Sequence, residues 1–179
     1  KMSDDQIYRV PENLASSAHI DEAGYLKMYK RSIEDNEGFW REQGQRIDWI
    51  KSYTKISTVN WTIPDVSTKW YEDGTLNASY NCIDRHLDSR GNKAALIWEP
   101  DNPLKDSLTI TYNELLVHVC RLANALKSLG VRKGDVVTIY MPMIPEAVYA
   151  MQACNRIGAV HSVVFGGFSP DALSVRIND

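Results

Sequence analysis

Residues 134–179 decide the fold of this chain and read GDVVTIYMPMIPEAVYAMQACNRIGAVHSVVFGGFSPDALSVRIND. The stretch contains two short apolar, β-branched runs, residues 136–140 and 160–165, which are typical of strands covered on both faces. A pattern typical of a helix follows each run. The order strand, helix, strand, helix predicts a βαβ unit, whose strands lie parallel in an α/β sheet.

Prolines, a serine and a glycine set the bounds of the two helices. Pro145 has no free N–H and a fixed φ, so it suits the first position of the first helix, and Gly158 ends that helix. Ser169 is a good N-cap for the second helix, and Pro170 suits its first position.

The glycine pair after the second strand is the candidate ligand site. Ligands in open α/β sheets bind beyond the carboxyl ends of strands, which is where Phe165, Gly166 and Gly167 lie. Glycines let a ligand approach the backbone, and a helix start offers amides to an anion. A tight turn without a ligand fits the same pattern equally well. Neither GxGxxG nor GxxxxGK[ST] occurs, so dinucleotide and P-loop sites lack support.

Upstream of this stretch the sequence predicts further α/β structure. Residues 93–99 and 107–111 are expected to form paired strands joined by a polar loop. Thr111 and Glu114 have the spacing of a capping box, which predicts a long helix that ends at Gly130. Residues at helical spacing predict one helix before these strands: Tyr80, Ile83, His86 and Leu87.

Residues 1 to about 35 are expected to form an arm. It carries a short helix with an apolar stripe, and Asn36 is a plausible N-cap for a second short helix. Residues 47–80 are rich in aromatic residues and predict irregular structure with short strands. Their aromatic side chains are interpreted as packing anchors rather than as a platform for a sugar or a base.

Composition excludes several classes of function. The 179 residues carry a net charge of -3, which argues against nucleic acid or an anionic membrane as the main partner. No apolar run approaches the ~20 residues of a membrane span. The cysteines are odd in number and lack CxxC spacing, which suits reduced thiols in a cytoplasmic protein. No metal site is expected, and structural roles are favoured for the four histidines: His19, His86, His118 and His161.

Four long strings carry a family resemblance: FWREQGQRIDWIKSYTK (39–55), KWYEDGTLNASYNCIDRHL (69–87), ITYNELLVHVCRLANALKSLGVRKGDVV (110–137) and IYMPMIPEAVYAMQACNRIGAVHSVVFGGFSPDAL (139–173). They resemble the N-terminal part of the AMP-forming acetyl-coenzyme A synthetases, members of the adenylate-forming (ANL) superfamily. The resemblance implies an α/β fold in which a helical and irregular N-terminal segment, residues 1–80, precedes the large AMP-binding domain. Residues 81–179 would supply its first β-α-β units and an incomplete sheet.

The resemblance also implies a two-step reaction. Acetate attacks the α-phosphorus of Mg-ATP to give acetyl-adenylate and pyrophosphate, and the thiol of coenzyme A then displaces AMP. Residues Phe165, Gly166 and Gly167 would lie against the nucleotide end of coenzyme A. No catalytic residue or metal ligand is carried over, because the family's phosphate loop, adenine motif and catalytic lysine lie later in its sequence.

These 179 residues are therefore expected to be inactive alone and to lack the C-terminal remainder of their own chain. The end of the sequence inside a predicted helix favours the same expectation. Two alternatives remain open from the sequence. One is a propionyl-coenzyme A or other short-chain acyl-coenzyme A synthetase, and the other is a non-enzymatic module that binds coenzyme A or a nucleotide.

Overall fold

Two units make up the part of the chain that the computed structural model describes, residues 8–179. The first unit comprises residues up to Arg46 together with Thr54–Glu72, and the second comprises Ile47–Tyr53 and Asp73–Asp179. Of the expected arm, residues 1–7 lie outside the described residues.

The first unit contains three helices and one strand pair. In chain order they are α1 (Glu12–Ser17), α2 (Glu22–Glu34), α3 (Asn36–Gly44), β1 (Ser57–Asn60) and β2 (Ser67–Trp70). The two strands are antiparallel, with Ser57 opposite Trp70. Short strands among irregular backbone are what the sequence predicts for this region.

The N-cap of α3 differs from the prediction by one residue. Asp35 rather than Asn36 caps the helix, since its carboxylate accepts a hydrogen bond from Gly38 N at 3.2 Å. A carboxylate is favoured there because the N-terminal end of a helix carries partial positive charge. The Asn36 amide instead donates to the carbonyl oxygen of Ser32.

The aromatic side chains of the first unit pack on one another, which confirms their interpretation as anchors. Trp40 and Trp70 meet edge to face with their ring centroids 5.6 Å apart. The Tyr71 hydroxyl donates to the carbonyl oxygen of Trp40 at 2.6 Å. Trp61 is an exception, because its side chain is 75% exposed, against 37% for Trp40 and 43% for Trp70.

The second unit is an α/β body. It contains α4 (Ala78–Cys82), a 3₁₀ turn (Asp84–His86), α5 (Leu87–Arg90), β3 (Ala94–Trp98), β4 (Leu108–Thr111), α6 (Tyr112–Ser128), β5 (Val136–Met141), α7 (Pro145–Ile157), β6 (Val160–Phe165) and α8 (Pro170–Asn178). Strands β3 and β4 are antiparallel, and β5 and β6 are parallel. The predicted βαβ unit is thus confirmed as β5, α7 and β6, followed by α8.

Local signals in the sequence set most helix ends of this unit. Thr111 and Glu114 form the predicted capping box at the start of α6. Pro145 is the first residue of α7, and Gly158 ends it in the left-handed region at φ 76°. A residue with a Cβ would be strained at that φ, so glycine is required for this turn.

The single helix predicted around residues 80–87 is wrong. The chain forms α4, the 3₁₀ turn and α5 instead, and Ile83 leaves the helical region at φ -124° and ψ -68°. The break buries the Ile83 side chain completely. Burial of a β-branched apolar side chain favours this arrangement over a continuous helix.

The core of the second unit lies between α6, α7 and the segment around Ile83. Its buried residues are Ile83, Ile110, Leu115, Val119, Ala123, Tyr149 and Ala153. Helix α6 contributes Leu115, Val119 and Ala123 to this core, at the spacing of one helical face. Within residues 8–179, no helix is long and apolar enough to cross a membrane.

Candidate functional site

The loops after β5 and β6 lie side by side at the carboxyl edge of the parallel strand pair. Register places Met141, the last residue of β5, opposite Phe165, the last residue of β6. The loop after β5 is held by Trp98, whose indole N–H donates to the carbonyl oxygen of Met143 at 2.9 Å. Both loops therefore meet at the edge where ligands of open α/β sheets bind.

The glycine pair forms a close turn after β6. Phe168 N donates to the carbonyl oxygen of Phe165 at 3.0 Å, so Gly166 and Gly167 make the bend between them. A Cβ added to Gly166 would lie 3.1 Å from the carbonyl carbon of Met141. The two backbones are thus packed so closely that a side chain at Gly166 would displace one of them.

An exposed aromatic pair flanks the glycine turn. Phe165 and Phe168 meet edge to face with ring centroids 6.0 Å apart, and their side chains are 58% and 43% exposed. The Tyr140 hydroxyl donates to the carbonyl oxygen of Phe168 at 2.7 Å. This hydrogen bond ties the turn to β5 and fixes the position of the second ring.

Helix α8 begins directly after the turn. The Ser169 side chain accepts from Ala172 N at 3.3 Å and Pro170 is the first helical residue, as the sequence predicts. Two turns into the helix, the guanidinium carbon of Arg176 lies 5.1 Å from the centroid of the Phe168 ring. A cation therefore stands beside the aromatic pair.

This arrangement is suited to binding rather than to catalysis. Exposed rings can stack on a planar base, and exposed glycine backbone admits a ligand to contact distance.

The structure brings together the three sequence-predicted residues, Phe165, Gly166 and Gly167. Sequence reasoning missed Tyr140 and Arg176. Arg176 lies eight residues after Phe168, and only the turn between them brings the two side chains together.

His118 and Cys154 have the structural roles that are ordinary for packed side chains. The His118 ring stacks on Tyr149 with centroids 4.6 Å apart and planes 2° apart. Cys154 is fully buried, and this burial raises the pKa of its thiol, as expected of an inert core cysteine. Among residues 8–179, no cluster of three or more His, Cys, Asp or Glu side chains could hold a metal ion.

A cavity of about 500 Å³ in the second unit surrounds an ion pair. Arg156 donates two hydrogen bonds to Asp84, at 2.7 and 2.8 Å. The Asp84 carboxylate raises the pKa of Arg156 further. The paired groups join α7 to the 3₁₀ turn, and Asp48, the other charged residue of the cavity lining, lies 3.6 Å from Arg85. Because these charges are paired with one another, this cavity is a weaker candidate than the glycine turn.

Comparisons with known proteins identify the family. Residues 83–179 match the family model described as AMP-binding enzyme, and residues 25–82 match the model described as acetyl-coenzyme A synthetase N-terminus. The acetyl-coenzyme A synthetase of Bdellovibrio bacteriovorus is 60% identical over 97% of this chain, and that of Rhizobium rhizogenes is 61% identical over 98%. The chain spans 27% and 26% of the length of these two relatives.

A solved structure supports the same assignment. The acetoacetyl-CoA synthetase from Streptomyces lividans matches 92% of this chain with a TM-score of 0.76 at 27% identity, and the match covers 25% of that protein. The expected fold class is therefore confirmed, with α/β structure like that of the N-terminal part of an acyl-CoA synthetase. Since the AMP-binding model matches more than half of its residues, this chain belongs to the AMP-binding enzyme family, and its relatives there are acetyl-coenzyme A synthetases.

Proposed function

We propose that this chain is part of an AMP-forming acetate–coenzyme A ligase. The complete protein would form acetyl-adenylate and pyrophosphate from acetate and ATP, with Mg accompanying ATP. Coenzyme A would then take the acetyl group and release AMP. The identity of about 60% with proteins named acetyl-coenzyme A synthetase supports this proposal.

In this proposal, Phe165, Gly166 and Gly167 form one wall of the coenzyme A site. The observation that carries it is the exposed glycine turn at the carboxyl edge of β6, flanked by an aromatic pair. The turn would bind and orient the nucleotide end of coenzyme A. No residue of this chain is assigned a role in either bond-forming step, so the chain alone would be inactive.

The proposed domain division follows the same family. Residues 1–80 would be the N-terminal segment of the synthetase, and residues 81–179 would begin its AMP-binding domain. The two family matches meet between residues 82 and 83, which supports this division.

We also propose a cytoplasmic location, which the three unpaired cysteines support.

Substitution of Gly167 tests the proposed coenzyme A wall. In the complete protein, Gly167→Val adds a branched side chain on the turn, where even a Cβ would lie 2.9 Å from the Phe165 ring. We expect the KM for coenzyme A to rise about tenfold or more, because a tenfold change corresponds to the loss of about 1.4 kcal/mol of binding free energy, roughly that of one good contact. Acetate-dependent exchange of pyrophosphate into ATP should persist, because that step precedes coenzyme A binding.

An unchanged KM for coenzyme A in folded Gly167→Val protein would exclude this turn from the coenzyme A site.

The carboxylate substrate is tested separately by comparing acetate, propionate and acetoacetate in the exchange assay. The likeness to an acetoacetyl-CoA synthetase makes acetoacetate a necessary comparison. If propionate or acetoacetate gives a higher kcat/KM than acetate, that acid replaces acetate as the proposed substrate.

A further inference from the structure

The glycine turn depends on contacts from outside to keep one shape. Gly166 and Gly167 are consecutive, and glycine has more backbone freedom than any other residue. A hydrogen bond from Phe168 N to the carbonyl oxygen of Phe165 spans the pair. Residues 165–168 are all exposed, so no core packs around the turn to restrain it. Further restraint therefore comes from strand β5 and from the loop after it.

Strand β5 holds both ends of the turn. The Tyr140 hydroxyl donates to the carbonyl oxygen of Phe168 at 2.7 Å. At the other end, Gly166 packs on the peptide bond between Met141 and Pro142. A Cβ added to Gly166 would lie 3.1 Å from the carbonyl carbon of Met141 and 3.1 Å from the nitrogen of Pro142. A shift of this peptide bond would thus move Gly166, and loss of the hydroxyl would release Phe168.

Trp98 holds the loop against which Gly166 packs. Its indole N–H donates to the carbonyl oxygen of Met143 at 2.9 Å, across 45 positions in the sequence. The Met143 side chain is 81% exposed, so its own packing does not fix the loop. Trp98 is half-buried and ends β3, which pairs with β4. The hydrogen bond therefore anchors the loop after β5 to a second strand pair.

We propose that Tyr140 and Trp98 are positioning residues for coenzyme A, which hold the glycine turn in its binding conformation before the ligand arrives. Both act through the backbone of the turn, Tyr140 directly and Trp98 through the loop after β5. This inference rests on the proposed function, since it takes the glycine turn as a wall of the coenzyme A site.

Holding the turn in advance affects one kinetic constant more than the others. A turn that is already ordered spares the ligand the entropic cost of ordering it, so affinity is higher. Loss of either hydrogen bond should therefore raise the KM for coenzyme A. At saturating coenzyme A the ligand itself orders the turn, so kcat should change little. Formation of the acyl-adenylate precedes coenzyme A binding and should be unaffected.

Tyr140→Phe in the complete protein is the sharpest test, because it removes the hydroxyl and keeps the ring. The KM for coenzyme A should rise about two- to tenfold, the range for one lost hydrogen bond. Acetate-dependent exchange of pyrophosphate into ATP should keep its rate and its KM for ATP. An unchanged KM for coenzyme A would overturn the role of Tyr140, as would an equal loss in the exchange reaction, which indicates a general distortion.

Trp98→Phe tests the second contact, because it keeps an aromatic ring and removes the indole N–H. The KM for coenzyme A should rise by a smaller factor than in Tyr140→Phe, since Trp98 reaches the turn only through the loop. A KM equal to that of the original protein would remove Trp98 from the inference.

Tyr80→Phe and Trp61→Phe are the matched controls. Tyr80 is 46% exposed, close to the 42% of Tyr140, and its hydroxyl makes no hydrogen bond within residues 8–179. Trp61 is 75% exposed and lies in the first unit. Both variants should keep the KM for coenzyme A. A rise in either control as large as in its partner variant would contradict the inference.

Amide hydrogen exchange separates positioning from direct contact with the ligand. Without ligand, the amides of residues 166–168 should exchange faster in Tyr140→Phe than in the original protein, and saturating coenzyme A should reduce the difference. A raised KM without faster exchange would overturn the positioning role. If Gly167→Val raises the KM but Tyr140→Phe and Trp98→Phe do not, the proposed function stands and this inference alone is wrong.

Discussion

The Asn77 side chain forms hydrogen bonds to backbone groups at the ends of two helices. Its amide oxygen accepts from Tyr80 N at 3.0 Å, which caps the start of α4. Its amide nitrogen donates to the carbonyl oxygens of Asn155 and Arg156, at 3.2 and 3.1 Å, in the last turn of α7. Helix ends expose such unpaired groups, so this residue joins two elements 78 positions apart in the sequence.

Asn77→Ala should lower the free energy of unfolding by about 2 kcal/mol. About 1 kcal/mol comes from the lost N-cap, and a similar amount from the lost hydrogen bonds to α7. Urea denaturation measures the difference. Asn77→Asp should not restore stability, because it keeps the acceptor for Tyr80 N but places a negative charge against the α7 carbonyls.

Asn124→Ala is the control for this experiment, since Asn124 is an exposed asparagine on α6. Its change should stay within about 0.5 kcal/mol, as is usual at a surface position. Full stability in Asn77→Asp would show that the bonds to α7 contribute nothing.

At the scale of the elements, helix and strand ends that follow from local chemistry were predicted well. Proline at the start of α7, glycine at its end and the capping box of α6 act within a few residues of each other. The predicted strand at residues 136–140 is β5, Val136–Met141. The broken helix at residues 80–87 was missed because the break depends on the burial of Ile83 by elements distant in sequence.

Ile83→Ala tests whether this burial stabilises the break. Ile83 is fully buried, so its truncation should lower the free energy of unfolding by about 2–5 kcal/mol through lost apolar burial and a residual cavity. Ile97→Ala in β3 is the matched control, because Ile97 is 69% exposed. Equal effects of the two substitutions in denaturation would contradict the role given to Ile83.

At the scale of the whole molecule, the chain contributes a short segment to the second unit before it returns to the first. Residues Ile47–Tyr53 belong to the second unit, although the residues on either side belong to the first. Asp48 is held there by Asn81, which accepts from Asp48 N at 2.8 Å and donates to its carbonyl oxygen at 2.9 Å. The bridge between Lys51 and Thr75, a hydrogen bond from Ile50 N to the carbonyl oxygen of Thr75 and an ion pair of Asp48 with Arg85 also hold the segment.

Asn81→Ala should loosen this segment more than the rest of the second unit. The substitution removes both hydrogen bonds to Asp48 and leaves the ion pair of Asp48 with Arg85 and the backbone hydrogen bonds to Thr75. Amide hydrogen exchange should become faster at residues 47–53, while the amides of α6 serve as an internal control. Unchanged protection of residues 47–53 would show that the segment is held by its other contacts and not by Asn81.

The candidate site was predictable only in part. Phe165, Gly166 and Gly167 could be selected because a glycine pair directly after a buried strand is a local pattern in the sequence. Tyr140 and Arg176 could not, since neither stands in a local pattern that indicates a ligand. Their side chains reach the turn only because β5 pairs with β6 and α8 follows Ser169.

The sequence by itself determined the βαβ unit, the helix ends and the family resemblance. These depend on backbone restrictions of proline and glycine, on apolar periodicity and on long strings of residues, all of which are present in the unfolded chain. Only the tertiary structure decided that Ile83 breaks a helix, that Asn77 joins α4 to α7, and that Arg176 stands over Phe168. These features depend on contacts between distant residues, and such contacts exist only once burial has brought the elements together.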